Sequence, residues 1–189
     1  MQPPFPKLIA LNTDGMIFTG QLDRAVWGTD LDNIICVVNK LTIEDKNNRN
    51  TKIKMGSDIP RIVNNILNNS ASLVIMSRGT SEALCNQALY FFHAKDPESG
   101  KRKPIIELVC YNKAVDEQKS NTFKQIHGQS NYDYTDMVLF DDKAPKDVSN
   151  LGMCPLSHSI VALPTVQLKP WLSCPQAEPS QTGPKNSST

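Results

Sequence analysis

Residues 8–18, with the sequence LIALNTDGMIF, join an apolar run to a short polar turn. The run is brief and follows Pro6, so we expect a buried β-strand over residues 7–11. Asn12 and Asp14 come directly after it, and a strand that ends in polar residues delivers them to one edge of a sheet. The unusual feature is the amide at position 12, where a carboxylate would be the more reactive group.

Short apolar runs and helical patterns alternate along the chain beyond this segment. Further strands are predicted at residues 72–77, 105–111, 136–142 and 159–163. Helices are predicted at residues 57–69, 80–94 and 116–127. Ser57 is the expected N-cap of the first helix, and Pro60 lies in its first turn. The alternation indicates the α/β class, with a doubly wound, Rossmann-like parallel sheet.

The region between the first strand and the first long helix has a less regular pattern. β character at residues 33–38 and 52–55 surrounds the polar loop at residues 45–50. We therefore predict a small β-hairpin flap within residues 21–55, where the contacts that select a substrate would lie.

Composition narrows the class of protein. The 189 residues suit one α/β domain over residues 1–169, followed over residues 170–189 by a Pro-rich and Ser-rich tail that we predict to be disordered. Twenty Lys and Arg residues nearly balance nineteen Asp and Glu residues, which predicts no nucleic-acid or membrane partner. The five cysteines form no CxxC pair, and no apolar segment reaches the roughly 18 residues of a membrane span. We predict a cytoplasmic protein with free thiols, and no pattern indicates its oligomeric state.

Polar residues cluster at the predicted carboxyl ends of the strands, where open parallel sheets bind their ligands. They come from four segments that are distant in sequence. They are Asn12, Asp14, Ser77, Arg78, Lys119, Asp141 and Asp142. One patch with carboxylates, a hydroxyl group and an ammonium group is expected.

The order of these motifs resembles that of the haloacid dehalogenase (HAD) superfamily, and most closely its small magnesium-dependent phosphatase branch, over roughly residues 6–163. NTDGM at residues 12–16 corresponds to the family's DxDxT, and VIMSRGTS at residues 74–81 is similar to its second motif. Lys119 matches the third motif, and VLFDD at residues 138–142 matches the fourth. KMGSDIPRIV also resembles the branch's lead-in to its first helix. The resemblance implies a HAD-type fold without a cap domain.

The resemblance also implies roles for the site residues. In such phosphatases the first Asp attacks phosphorus, and a second acid, here Asp14, donates and later accepts a proton. Ser77, Arg78 and Lys119 would bind the phosphoryl oxygens, with Lys119 also serving as a catalytic charge clamp. The first Asp is Asn12 in this chain, so a catalytic position lacks its nucleophile.

Magnesium binding is implied in the same way. Mg²⁺ would be held at Asn12, Asp14, Asp141 and Asp142, and the amide weakens that set because it replaces a charge with a dipole. Met16 is a second departure, since the family has Thr there.

Three functional readings follow. The first is a phosphatase-like protein that has lost aspartyl-phosphate chemistry and uses the same pocket for acid/base or electrostatic catalysis on a small molecule. The second is a genuine Mg²⁺-dependent phosphomonoester phosphatase, in which Asn12 is an engineered or tolerated substitution. The third is a non-catalytic binding or regulatory pseudophosphatase. The expected partner is a small molecule, with a phosphorylated one left open.

Overall fold

The computed structural model describes residues 5–37, 41–77, 81–114, 117–142, 148 and 151, and the backbone of residues 154–157. The strands of these residues are β1 Leu8–Asn12, β2 Ile34–Cys36, β3 Thr42–Asp45, β4 Lys52–Lys54, β5 Ser72–Ser77, β6 His93–Lys95, β7 Arg102–Pro104, β8 Tyr111–Ala114, β9 Met137–Asp141 and β10 Cys154–Ser157. The α-helices are α1 Arg24–Trp27, α2 Ile59–Asn68, α3 Glu82–Phe91, α4 Ile105–Leu108 and α5 Lys119–Ser130. None of the described helices is long and apolar enough to cross a bilayer.

A parallel sheet with the strand order β10-β9-β1-β5-β8 forms the centre of the fold. β1 lies in its middle, with Leu8 opposite Ser72 of β5 on one side and Met137 of β9 on the other. Every residue of β1 is buried, as expected of a strand covered on both faces. The predicted α/β class with a parallel, helix-flanked sheet is confirmed.

Alternate residues of β1 enter two hydrophobic cores. Ile9 and Leu11 pack with α2, α3 and the flap, whereas Leu8 and Ala10 pack with the side of the sheet that α5 covers. Because neighbouring side chains in a strand point to opposite faces, one apolar run supplies both layers. Because β1 ends at Asn12, the packing of this run also fixes the position of Asn12 at the edge of the sheet.

The flap differs from the predicted hairpin. β3 pairs antiparallel with both β2 and β4, so the flap has three strands, and the polar loop joins β3 to β4. The predicted pairing of residues 33–38 with residues 52–55 is wrong, because β3 lies between them. Ile43 is the only fully buried residue of β3. Backbone hydrogen bonds to β2 and β4 therefore contribute much of the stability of this strand.

Three other local predictions need correction. Residues 105–111 are not a strand: α4 occupies residues 105–108, and the strand β8 begins at Tyr111. α2 begins at Ile59 with Asp58 as its N-cap, one residue after the predicted cap Ser57. α3 ends at Phe91, where the prediction continued to residue 94, because the chain turns into β6.

The strand over residues 72–77 is confirmed with its bounds, and Pro60 lies in the first turn of α2. β9 and α5 fall close to their predicted positions. The strand predicted at residues 159–163 lies outside the described residues. Among the described residues, β10 is the last strand. The domain limits and the tail stay predictions.

Candidate functional site

The carboxyl ends of β1, β5 and β9 meet at one edge of the sheet. Asn12 ends β1, Ser77 ends β5 and Asp141 ends β9, while Lys119 begins α5. The backbone N–H of Thr13 donates to the carbonyl of Met76 at 3.2 Å, which extends the β1–β5 ladder one residue past the strand. The sheet thus fixes the backbone that carries the polar side chains.

The Asn12 side chain lies at the centre of this edge and is 5% exposed. Its Nδ2 donates to the backbone carbonyl of Asp14 at 2.8 Å and to Asp142 Oδ1 at 3.0 Å. Its Oδ1 accepts from Lys119 Nζ at 3.0 Å. Both ends of the amide are therefore engaged by other parts of the edge.

Lys119 and Asp141 form a buried ion pair beside this amide. Lys119 Nζ lies 2.5 Å from Asp141 Oδ2, and the two side chains are 8% and 5% exposed. Burial of two charges is costly unless they are paired and hydrogen-bonded. The second bond from Lys119 to Asn12 helps to satisfy this pair.

Asp14 lies on a tight turn that follows β1. The N–H of Gly15 donates to the Phe18 carbonyl at 3.0 Å, and Thr13 Oγ1 donates to Asp14 Oδ1 at 3.3 Å. Gly15 has a φ of +75°, and a Cβ there would lie 2.8 Å from Asp142 Oδ2. Glycine is therefore required for the turn and for the approach of Asp142. The sequence prediction did not include Thr13 and Gly15 among the site residues, although a glycine directly after the acid was the available signal.

Ser77 is a buried hydroxyl group with 2% exposure. Among the described residues its Oγ has no hydrogen-bond partner. A buried polar atom without a partner is costly, so its retention at the end of β5 is consistent with a ligand contact. Arg78, predicted beside it, lies outside the described residues.

The electrostatics of this region extend to Cys85 on α3, which is fully buried. Burial raises the pKa of its thiol to about 12, and the nearby carboxylates of Asp14 and Glu82 add to the rise. The thiol is therefore protonated at neutral pH and is not a nucleophile. Cys85 belongs to the core beneath the site.

The fold and this edge define the chain as an α/β protein of the HAD type. A family model described as acid phosphatase matches residues 5–156. The chain belongs to this acid phosphatase family.

A HAD-like hydrolase superfamily protein of Schizosaccharomyces pombe is 31% identical over 154 residues, which cover 79% of this chain and 83% of that protein. The solved structures that it resembles include two magnesium complexes. A HAD family enzyme from Bacteroides thetaiotaomicron is 11% identical with a TM-score of 0.54, and the match covers 88% of this chain and 98% of that one.

The N-terminal part of a Bacteroides fragilis protein, which contains a phosphatase domain, is 15% identical with a TM-score of 0.51. The match covers 81% of this chain but only 36% of that one. At these identities the two structures show the fold alone.

The arrangement at Asn12 bears on whether the residues of this chain fit a magnesium ion. Mg²⁺ requires oxygen ligands in near-octahedral geometry. Here the amide nitrogen of Asn12 faces the Asp14 carbonyl and Asp142 Oδ1, and the amide oxygen accepts from Lys119. Among the described residues, no group of three or more His, Cys, Asp or Glu side chains is arranged to hold a metal ion. In this arrangement the residues do not fit the ion.

Proposed function

We propose that this chain is a phosphatase-like protein that has lost aspartyl-phosphate chemistry and keeps the pocket for acid/base chemistry on a small molecule. The bonding of Asn12 carries the proposal. Its Nδ2 occupies the space between two oxygens that the resemblance assigns to a cation, and its Oδ1 is held by Lys119.

The orientation of the amide follows from its neighbours. Lysine has only donors, so the group facing Lys119 must be the oxygen of Asn12. The nitrogen must then face the Asp14 carbonyl and Asp142, both of which are acceptors. Rotation of the amide by 180° would place its NH₂ group beside the ammonium group of Lys119. It would also place the amide oxygen beside the Asp14 carbonyl and the Asp142 carboxylate, which are both acceptors. Turning the oxygen of Asn12 toward a cation would therefore cost the hydrogen bond from Lys119.

Loss of the carboxylate also removes the nucleophile. The nitrogen lone pair of a carboxamide is delocalised into the carbonyl, and its oxygen carries no full negative charge, so an attack on phosphorus is not supported. Asp14 remains half-buried on its turn, where a carboxyl group can donate or accept a proton. Acid/base chemistry is the capacity that this edge retains.

Hydrolysis of p-nitrophenyl phosphate with Mg²⁺ by the unmodified chain and by Asn12→Asp tests the proposal. We expect background rates from the unmodified chain. Asn12→Asp restores the nucleophile and an oxygen toward the cation, so it should hydrolyse the ester. Removal of the acid/base group in Asn12→Asp/Asp14→Asn should lower the regained rate by about a hundredfold or more. If the unmodified chain were as fast as Asn12→Asp, the proposal would be wrong.

Calorimetric titration with Mg²⁺ separates binding from turnover. We expect heat of binding with Asn12→Asp and none with the unmodified chain. Tight binding of Mg²⁺ by the unmodified chain would contradict the orientation proposed for the amide.

A second candidate, a non-catalytic binding or regulatory module, is favoured by the hydrogen bonds that already engage Asn12 and Lys119 within the protein. This candidate needs no role for Asp14. If a screened small molecule were converted by the chain, and Asp14→Asn abolished conversion without lowering the urea midpoint, the second candidate would be excluded.

A further inference from the structure

The Asn12 side chain joins two segments that are far apart in sequence. Its Nδ2 donates at 2.8 Å to the carbonyl of Asp14, in the turn after β1, and at 3.0 Å to Oδ1 of Asp142, just after β9. A carboxamide nitrogen carries two N–H groups, so these two bonds use both of them. The amide therefore links the turn of Asp14 to a residue 130 positions beyond Asn12.

The two ends of this link differ in exposure. Asn12 is 5% exposed, whereas Asp142 is an exposed residue. An exposed side chain loses rotamer freedom when it is held in one place, so a specific contact must hold it there. The Asn12 amide is such a contact, and it keeps Asp142 close to Gly15, where an added Cβ would lie 2.8 Å from Asp142 Oδ2.

The two oxygens that face Nδ2 need a positive group between them. Each lies within 3.0 Å of the same nitrogen, and both are acceptors. A carbonyl dipole and a carboxylate charge that point at the same spot repel each other unless a donor or a cation stands between them. The N–H groups of Asn12 supply the donors.

The oxygen end of the amide is held as well. Lys119 Nζ donates to Asn12 Oδ1 at 3.0 Å, and the same ammonium group pairs with Asp141. Because the amide is held at both ends, its nitrogen stays directed at the turn and at the end of β9. All of these bonds are formed between groups of the chain itself.

We propose that the Asn12 amide positions the turn of Asp14 and the carboxylate of Asp142 by hydrogen bonds, at the place where the resemblance assigns a cation. Asn12 is a positioning residue for Asp14, and the order of this edge does not depend on Mg²⁺. The inference rests on the proposed function only for the acid/base role of Asp14.

Hydrogen exchange at the Gly15 amide reports the order of the turn, because this N–H donates to the Phe18 carbonyl at 3.0 Å. Gly100 is the internal reference, since it also has a positive φ and its N–H donates to the Asp96 carbonyl at 2.9 Å. In the unmodified chain, the ratio of the Gly15 rate to the Gly100 rate should be the same with EDTA and with excess MgCl₂. A ratio that falls when MgCl₂ is added would overturn the proposal.

Two variants of similar shape separate the donor from the cation. Asn12→Leu removes the donor, so it should raise the Gly15-to-Gly100 ratio by at least about tenfold in EDTA and in MgCl₂ alike. Asn12→Asp places a carboxylate beside two acceptors, so it should raise the ratio in EDTA, and MgCl₂ should lower it again. An unchanged ratio in a folded Asn12→Leu variant would show that the amide does not position the turn.

Asp142→Ala tests the link from its exposed end, where a substitution leaves the buried core intact. It should speed the exchange of the Asn12 side-chain NH₂ protons and shift their signals in two-dimensional NMR spectra. Asp133→Ala is the matched control and should leave those signals in place, because Asp133 is exposed too but precedes β9, whereas Asp142 follows it. Equal changes in the two variants, or no change in either, would overturn the proposal.

The hydrolysis assay separates failure of this inference from failure of the proposed function. Rapid hydrolysis of p-nitrophenyl phosphate by the unmodified chain, with Gly15 exchange that ignores MgCl₂ and rises in Asn12→Leu, would overturn the proposed function alone. Background hydrolysis, with Gly15 exchange that slows when MgCl₂ is added to the unmodified chain, would overturn this inference alone.

Discussion

Two ion pairs of the same chemical type have different surroundings in this molecule. Lys119 and Asp141 are 2.5 Å apart, with side chains that are 8% and 5% exposed. Lys103 and Asp96 are 2.7 Å apart, but the Lys103 side chain is 42% exposed. Short distances alone therefore do not distinguish a site from a surface turn.

The partners around each carboxylate explain the difference. Asp96 accepts from the backbone N–H groups of Glu98 and Ser99 and from the Ser99 hydroxyl, all within three residues. Lys119 bonds to Asn12, 107 residues away, and to Asp141, 22 residues away. The first pair shapes a local hairpin loop, whereas the second joins three elements. A carboxylate whose partners are distant in sequence is the better indicator of a site.

Lys119→Met should give the largest effect. It leaves Asp141 buried without its counter-charge, so we expect a loss of about 3–5 kcal/mol in the free energy of unfolding, measured by urea denaturation. Lys103→Met is the matched control and should cost much less, since Lys103 is 42% exposed and Asp96 keeps its hydrogen bonds from Glu98 and Ser99.

The double variant Lys119→Met/Asp141→Leu sharpens this test. Because it removes both charges, it should recover much of the lost stability. Equal stability losses in Lys119→Met and Lys103→Met would break the distinction between the two pairs.

Gly15→Ala should give an intermediate effect. A side chain at a φ of +75° costs about 1–2 kcal/mol, and the new Cβ would displace Asp142, whose Oδ2 would be only 2.8 Å away. Gly100→Ala is the matched control, because Gly100 has a φ of +68° and a Cβ added there would meet no atom within 4 Å. The difference between the two urea midpoints measures the contact at the site. Identical losses would show that the Asp142 contact contributes nothing.

Asp96→Asn should give the smallest effect, and one that depends on pH. The Lys103 ammonium group, followed by the Ser99 hydroxyl, holds the pKa of the Asp96 carboxyl well below its usual range. A lowered folded-state pKa stabilises the fold fully above the ordinary aspartate pKa of about 3.9, and the gain is lost as the pH falls below that value. The urea midpoints of the unmodified chain and Asp96→Asn should therefore differ at pH 7 and converge between about pH 5 and pH 2. A constant gap would contradict this mechanism.

Much of the central sheet was predictable because its signals are local. Residues 72–77 form an apolar run with polar ends and many β-branched or long apolar side chains, which is typical of a strand covered by helices on both faces. The run at residues 105–111 was misread because a short apolar segment suits a buried helix as well as a strand. The β6–β7 hairpin delivers Ile105 to the core beside α3, and only tertiary packing selects the helix there.

The candidate site was predictable as a set of residues but not as a set of bonds. The strand ends placed Asn12, Ser77 and Asp141 at one edge without any distances. The sequence cannot show that the amide of Asn12 faces Asp142 with its nitrogen, because the position of Lys119 decides it. The middle strand of the flap, β3, was missed for a similar reason. Its residues are mostly polar, and its pairing with β2 and β4 stabilises it.

The central position of β1 also has a consequence for folding kinetics. Its partners are β5 and β9, so residues 8–12 pair with residues as distant as Phe140. Parallel pairing over such separations must first overcome the entropy of closing long loops, which slows folding relative to domains with mainly local contacts. During synthesis, β1 leaves the ribosome long before β9 exists. The network of Asn12, Lys119 and Asp141 can therefore assemble only after residue 141 has been translated and released from the exit tunnel.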